Sequence, residues 1–471
     1  MNSFISTIWR ETMTKKGVVR NMNFSRREFL KLSASGVLVS AVSASTGCSM
    51  LRSKPDVTMD ENCLKTILAG EAAGGKQVFE DSAISGIRMN NRIIRSATAM
   101  GLADKEGRPT GLSVEKHTEL AQGGVGLIIV EGTAVLKNGM HGYLNPQLFD
   151  KDDFIPDYKK LTKASHQYNT PMILQAFHAG RQTRSVATGQ ATVAPSPIKD
   201  VYYNEATPEE LTELQILEII DSFVRFIERS QKADFDGVQL NAAHGYLLSE
   251  FLSPDMNQRE DRWGGSTENR FRIIREILEK SRKRVGSYPI LIKLNAYDAQ
   301  SGGMRLSESV AIAKMLENTG CDAIEVSCGV RDDGFSSVRI PEIPLEAIME
   351  YSFRTKDQPF IIKDIMSMML PLMIDLHKPI LNYNVCAART IKEQVNIPVI
   401  VVGGIRDLPT IEQLIRCNAT DYVAMSRPFI IEPGIVNSFK SQQQTVSECV
   451  SCGLCAVCME MLPTECQYGR A

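Results

Sequence analysis

Surplus charge is what this sequence has least of. Its 53 lysines and arginines against 55 aspartates and glutamates leave a net charge of -2 over 471 residues and an isoelectric point near 6.4. That excludes the basic field a phosphate backbone requires, and no RNA- or DNA-binding motif is present, so no nucleic-acid partner is expected. Internal repeats and low-complexity tracts are also missing. The uncharged run from Leu32 to Gly47 is shorter than the ~20 mainly apolar residues of a spanning helix. What is there, 43% hydrophobic and 23% charged residues, describes a soluble globular chain.

Apolar runs alternate with amphipathic stretches, the mark of βαβ units and a parallel sheet. Eight strands are predicted: Arg92 to Ser96, Leu127 to Glu131, Pro171 to Gln175, Gly237 to Leu240, Pro289 to Leu294, Ala323 to Ser327, Pro398 to Val402 and Tyr422 to Met425. Eight point to a closed (β/α)8 TIM barrel, an α/β fold of about 250 residues or more. The expected organisation is a signal segment over 1–48, a linker over 49–75, the barrel over 76–440 and a cysteine-rich tail over 441–471. Between strands, Glu209 to Ala233 repeats Leu211, Leu214, Leu217, Ile220, Val224 and Ile227 at helical spacing, with Thr207-Pro208-Glu209-Glu210 as its expected start. The long interval from Gly329 to Asn396 has a methionine-rich centre at Ile365 to Leu370, best read as an extra packed helix.

The N-terminal Ser25-Arg26-Arg27-Glu28-Phe29-Leu30-Lys31 and the apolar stretch behind it have the layout of an export signal. They resemble a twin-arginine signal, a route that carries proteins already folded around a cofactor. Export is therefore expected, to the periplasm or to a membrane surface through a lipidated Cys48, with a cytoplasmic enzyme as the alternative. Met22 is an alternative start.

The densest chemistry lies between Phe235 and Arg270, where a short apolar strand runs into Asn241, His244 and Tyr246. Two hydrogen-bond donors and a phenol suit reduction of a carbonyl-activated substrate. With Ser253-Pro254, Asn257, Arg259 and Gly264-Gly265-Ser266-Thr267-Glu268-Asn269-Arg270, this stretch resembles the Old Yellow Enzyme family of NADH:flavin oxidoreductases. The family's first histidine is here Asn241.

The resemblance implies FMN. It places Ala97 and Thr98 beside the flavin ring, Gly132 where a small residue leaves room for it, and Gln175 on its uracil-like edge. Lys293, inside an apolar run, is assigned to the pyrimidine side, with a barrel carboxylate as the alternative partner. Gly403, Gly404, Ser426 and Arg427 are assigned to the phosphate. His178 and Arg181 are read as structural.

Five of the eleven cysteines fall between Cys449 and Cys466, so a metal or redox site is favoured over a disulfide framework. The tail resembles that of the branch that includes 2,4-dienoyl-CoA reductase and trimethylamine dehydrogenase, which implies a [4Fe-4S] cluster on Cys449, Cys452, Cys455 and Cys466. Cys458 competes as fourth ligand, and zinc is the alternative.

The expected function is hydride transfer from reduced FMN to a small electrophilic substrate. Asn241 and His244 would polarise its oxygen, Tyr246 would supply a proton, and NAD(P)H would be the donor. One alternative is an exported electron-transfer flavoprotein fed through the cluster by a redox protein or membrane donor. A barrel that binds FMN with little turnover ranks last.

Overall fold

The computed structural model describes residues 61–70, 75–203, 206–298, 301–330 and 335–469. The predicted export signal and Cys48 lie outside them. Eight parallel strands close into a barrel: β1 (Ile93–Arg95), β2 (Leu127–Ala134), β3 (Met172–Phe177), β4 (Gly237–Ala242), β5 (Ile290–Asn295), β6 (Ala323–Ser327), β7 (Val399–Val402) and β8 (Tyr422–Met425). Each neighbours the next in sequence, and β8 pairs with β1. Every predicted strand is present, with ends moved by a few residues. Among the described residues no helix is long and apolar enough to cross a membrane.

Around the barrel, and before it in the chain, lie α1 (Glu61–Ala69), α2 (Gly111–Gln122), α3 (Ile155–His166), α4 (Glu213–Lys232), α5 (Thr267–Val285), α6 (Leu306–Asn318), α7 (Val385–Lys392) and α8 (Leu408–Arg416). Helix α4 starts at Thr212, not Thr207. Thr212 and Gln215 form a reciprocal capping box, while Glu209–Glu210 pair as a short strand with Val193–Ala194. Its buried face is Ile216, Ile219, Ile220, Phe223, Val224, Phe226 and Ile227, and Leu214, expected to pack, is 79% exposed.

Alternation along the strands sorts the barrel interior into layers. The lowest is apolar: Ile94, Leu127, Ile129, Ile173, Leu291 and Ile400 share a cluster with Ile84, Ile87 and Met89 of a short hairpin, Ser82–Ile84 with Ile87–Met89. One step along the same inward faces, the residues become Gln175, Gln239, Lys293 and Glu325. The second core, between barrel and helices, is larger and almost wholly apolar.

Two features depart from expectation. The methionine-rich segment is a helix, Phe360–Met373, but none of its described side chains is buried, and Phe360 and Leu372 are 69% and 80% exposed. A disulfide joins Cys63 of α1 to Cys386 of α7, so cysteine pairing is not confined to the tail question.

Candidate active site

The polar layer is a continuous hydrogen-bonded chain across the barrel. Lys293 Nζ donates to Ser96 Oγ at 2.8 Å and lies 3.3 Å from Glu325 Oε2. Ser96 Oγ donates to Glu325 Oε1 at 2.6 Å, and Gln239 Nε2 donates to Glu325 Oε2 at 2.7 Å. Gln175 Nε2 donates to Gln239 Oε1 at 2.6 Å, and Asn241 Nδ2 to Gln175 Oε1 at 3.1 Å. Strand register produces these meetings: Gln175 stands opposite Gln239, and Lys293 opposite Glu325 on one side and Asn241 on the other.

Asn241 and His244 are held at the carboxyl end of β4. The Ala243 N–H donates to Asn241 Oδ1 at 3.1 Å, which fixes the amide orientation. His244 takes a left-handed backbone, φ 64°, and its Nε2 meets Ser327 Oγ at 2.7 Å. Its own N–H donates to Asn295 Oδ1 at 3.2 Å. Desolvation at the barrel mouth, aided by the Lys293 charge, lowers the imidazole pKa to about 3, so His244 is a neutral ring. Tyr246 packs edge-on to Phe177 and His141, with centroids 4.7 and 4.9 Å away, and His141 stacks on Phe177 at 4.0 Å.

The neighbouring strand ends supply the walls. Gly132 lies opposite Gln175, and a Cβ there would come within 3.3 Å of Gln175 Oε1 and 3.4 Å of Phe177. The β2–β3 register shifts between Val130 and Gly132, which leaves Glu131 at an irregularity of the kind found beside functional sites. Glu131 accepts from the Met100 N–H at 2.6 Å and from Gln147 Nε2 at 2.8 Å, and burial raises its pKa to about 7. Ala97 follows β1, and Thr98 Oγ1 meets Ser426 Oγ at 2.7 Å, tying the ends of β1 and β8 together.

After β7, Gly404 has φ 73°, and a Cβ would sit 2.4 Å from the Ile380 carbonyl oxygen. At Gly403 it would sit 2.7 Å from Asn384 Nδ2 and the Tyr383 ring. This backbone approach admits only glycine. Arg427 Nη1 reaches the Arg339 and Ser451 carbonyls at 3.2 and 3.4 Å, so its guanidinium braces the tail as well as standing beside Ser426. His178 accepts from the Gly180 N–H at 3.1 Å and Arg181 donates to the Ile198 carbonyl at 3.1 Å; both hold the turn after β3.

Cys449, Cys452, Cys455 and Cys466 line one cavity with Arg427. Burial pushes the Cys455 thiol up to about 12, Arg427 opposes this, and the other three thiols add to it. Cys458 instead packs in a separate apolar cluster with Ala347 and Val457. Among the described residues no three His, Cys, Asp or Glu side chains are disposed to hold a metal ion. The tail is tied to the loop after β1 by the Thr464 N–H, which donates to the Met100 carbonyl at 2.9 Å, and to the segment between β6 and β7 by the Phe353 N–H, which donates to Glu460 Oε2 at 3.1 Å.

Ser96, Gln239, Glu325, Ser327 and His141 were not singled out from the sequence. The inward side of each strand alternation carries the first four, and that signal was available. His141 sits in a loop with no local marker.

The model of the NADH:flavin oxidoreductase / NADH oxidase family matches residues 77–333. An NADH oxidase of Thermoanaerobacter brockii is 32% identical over 381 residues, covering 80% of this chain and 53% of that protein. An NADPH dehydrogenase of Clostridium acetobutylicum is 31% identical over 370 residues, covering 77% of this chain and 94% of that protein. The chain thus spans about half the length of the first relative and nearly all of the second. The solved structure of an old yellow enzyme homologue from Zymomonas mobilis superposes with a TM-score of 0.61 at 21% identity, over 80% of this chain and 96% of that one, which supports the fold.

Proposed function

Because this chain belongs to the NADH:flavin oxidoreductase / NADH oxidase family, we propose that it is an FMN-dependent oxidoreductase acting on a small, carbonyl-activated electrophile. The observation that carries the reading is the polar chain that runs from Lys293 through Gln239 and Gln175 to Asn241, with the Gly403–Gly404 turn on the same rim. These residues fit the cofactor. Gly403 and Gly404 let the 380–384 segment pack directly on the turn after β7, which fixes that backbone at the rim, and a buried lysine beside two amides offers donors to an electron-rich ring edge.

FMN, when bound, supplies hydride transfer between a nicotinamide donor and the substrate. Gln175 and Lys293 would hold the ring edge, Gly132, Ala97 and Thr98 would flank it, and Gly403, Gly404, Ser426 and Arg427 would receive the phosphate. Asn241 and His244 would donate to the substrate oxygen. His244 does so as a neutral imidazole, and the Ser327 hydroxyl decides which ring nitrogen carries the proton. Asn241 gives one amide hydrogen to Gln175, which fixes its face toward the mouth. Tyr246, held by the Phe177 and His141 rings, is the proton source for the substrate carbon.

A second element of the proposal concerns the tail. Four cysteines at tight spacing line one cavity, and that supports an iron–sulfur cluster there, with zinc as the alternative. The cavity shares Arg427 with the rim, so a cluster there would connect a redox partner to the barrel. Export through the Ser25–Lys31 motif remains part of this proposal, with a membrane or periplasmic donor as the alternative to NAD(P)H.

The test is the visible spectrum of anaerobically purified protein, iron and sulfide analysis, and stopped-flow mixing with NADH, NADPH and an artificial donor. Flavin absorbance bleached by a donor and restored by an activated alkene is expected. Protein that takes up no flavin from excess FMN would sink the reading.

A further inference from the structure

Helix α1 has little to hold it. It is nine residues long, and of its described side chains only Ile67 is fully buried, with Cys63 and Leu64 partly covered. Two hydrogen bonds from Gln413 Nε2 of α8, to the Ile67 and Gly70 carbonyls at 3.1 and 2.7 Å, fasten its last turn. A helix this short is marginal on its own in water. Its first turn is fastened by a covalent bond instead, Cys63 to Cys386, with Cα atoms 6.1 Å apart, inside the range a disulfide spans.

The far end of that bond is placed beside the site. Cys386 is two residues past Asn384, whose Nδ2 donates to the Val402 carbonyl at 2.6 Å, and three past Tyr383, whose ring lies against Gly403. The bridge therefore joins the N-terminal helix to the helix that backs the glycine turn, across 323 residues of sequence. Cys417, at the end of α8 and near Gly70, stays a free thiol, so proximity to α1 alone does not pair a cysteine.

We propose that Cys63–Cys386 is a structural staple formed only after the chain enters an oxidising compartment, and that it fixes the N-terminal segment onto the barrel. Disulfides persist in such compartments and are kept reduced in the cytosol. Both cysteines are partly exposed, so the bond can form on the folded protein. Two S–H bonds break and one S–S bond forms; the two electrons reduce an incoming disulfide, of a protein or small-molecule oxidant, to two thiols, with the protons balanced through solvent. The argument does not depend on the flavin reading. It agrees with the Ser25–Lys31 motif but stands on the cysteine pair.

The full-length protein would be recovered without reductant from an oxidising compartment and from a reducing cytosol, alkylated, then reduced, labelled a second time and mapped by peptide mass. The first sample is expected to protect Cys63 and Cys386 as one linked peptide while Cys417 takes the first label; the cytosolic sample is expected to alkylate all three. In thermal melts, dithiothreitol should lower the wild-type midpoint by about 5 °C or more and leave a Cys63→Ser/Cys386→Ser double variant unmoved. Full alkylation of both cysteines in the first sample overturns the proposal. So does a wild-type melt that ignores reductant, a result readable even if the double variant fails to fold.

Discussion

Lys293 and Glu325 face each other inside the barrel with 3.3 Å between Nζ and Oε2, their side chains 4% and 0% exposed. Neither charge reaches water, so each depends on the other and on Ser96 and Gln239. The carboxylate answers part of the choice left open by the sequence: the lysine has a barrel partner on the inward face, and on the proposed reading that same face would meet the flavin.

Removing one member of this pair leaves the other uncompensated. Glu325→Gln should destabilise the protein by about 3 kcal/mol, measured by urea unfolding. It should also move the flavin midpoint potential in the positive direction, because a negative charge near the ring has gone. An unchanged potential would separate Glu325 from the cofactor.

Acid sensitivity follows from four buried groups. Burial lowers the His117 pKa to about 4 and those of His178 and His244 to about 3, and raises that of Glu131 to about 7. Between about pH 4.5 and 6.5 the unfolded chain binds three protons that the folded histidines refuse, while folded Glu131 keeps one that the unfolded chain releases. The balance is two protons in favour of the unfolded state, so stability should fall by about 2.7 kcal/mol per pH unit as pH drops through that window. Urea melts at pH 7 and 5 check the sign; a rise on acidification would refute neutral histidines.

Gly404→Ala places a methyl against the Ile380 carbonyl and the Asn382 nitrogen at a φ of 73°. Strain of roughly 1–3 kcal/mol and displacement of the turn are expected. FMN affinity, followed by quenching of flavin fluorescence, should fall about tenfold or more. Equal affinity would remove this turn from the phosphate site.

Tyr246→Phe should leave flavin reduction by the donor intact and slow substrate reduction about a hundredfold. Separate stopped-flow measurement of the two half-reactions distinguishes proton supply from a packing defect, because loss of packing against Phe177 and His141 would slow both.

In the tail, Cys452→Ala should abolish iron and sulfide, whereas Cys458→Ala should retain them, since Cys452 lines the shared cavity and Cys458 packs with Ala347 and Val457. Iron analysis of both variants decides the ligand set. Loss of iron from Cys458→Ala alone would reverse the assignment.

The barrel was legible because each strand is an apolar run bounded by polar residues, a signal that needs no tertiary information. The polar layer was less so. Glu325 reads as an interruption of an apolar run until Lys293 is known to stand opposite it, and that depends on register between strands. Thr207-Pro208 is a good helix opening by itself, yet α4 begins at the reciprocal pair Thr212–Gln215 because Glu209–Glu210 join Val193–Ala194 as a short strand. Leu214 fitted the spacing but points outward. The Cys63–Cys386 bond was invisible for a different reason: no local pattern relates residues 323 positions apart.

The short hairpin closes one end of the barrel. Ile84, Ile87 and Met89, at 0–3% exposure, pack against the lowest apolar layer, opposite the end where Asn241, His244 and Tyr246 stand. The tail reaches that other end through the Thr464 N–H on the Met100 carbonyl. On the proposed flavin reading, a donor and an acceptor that both approach from the open end would take turns, and an excess of either should inhibit the other competitively.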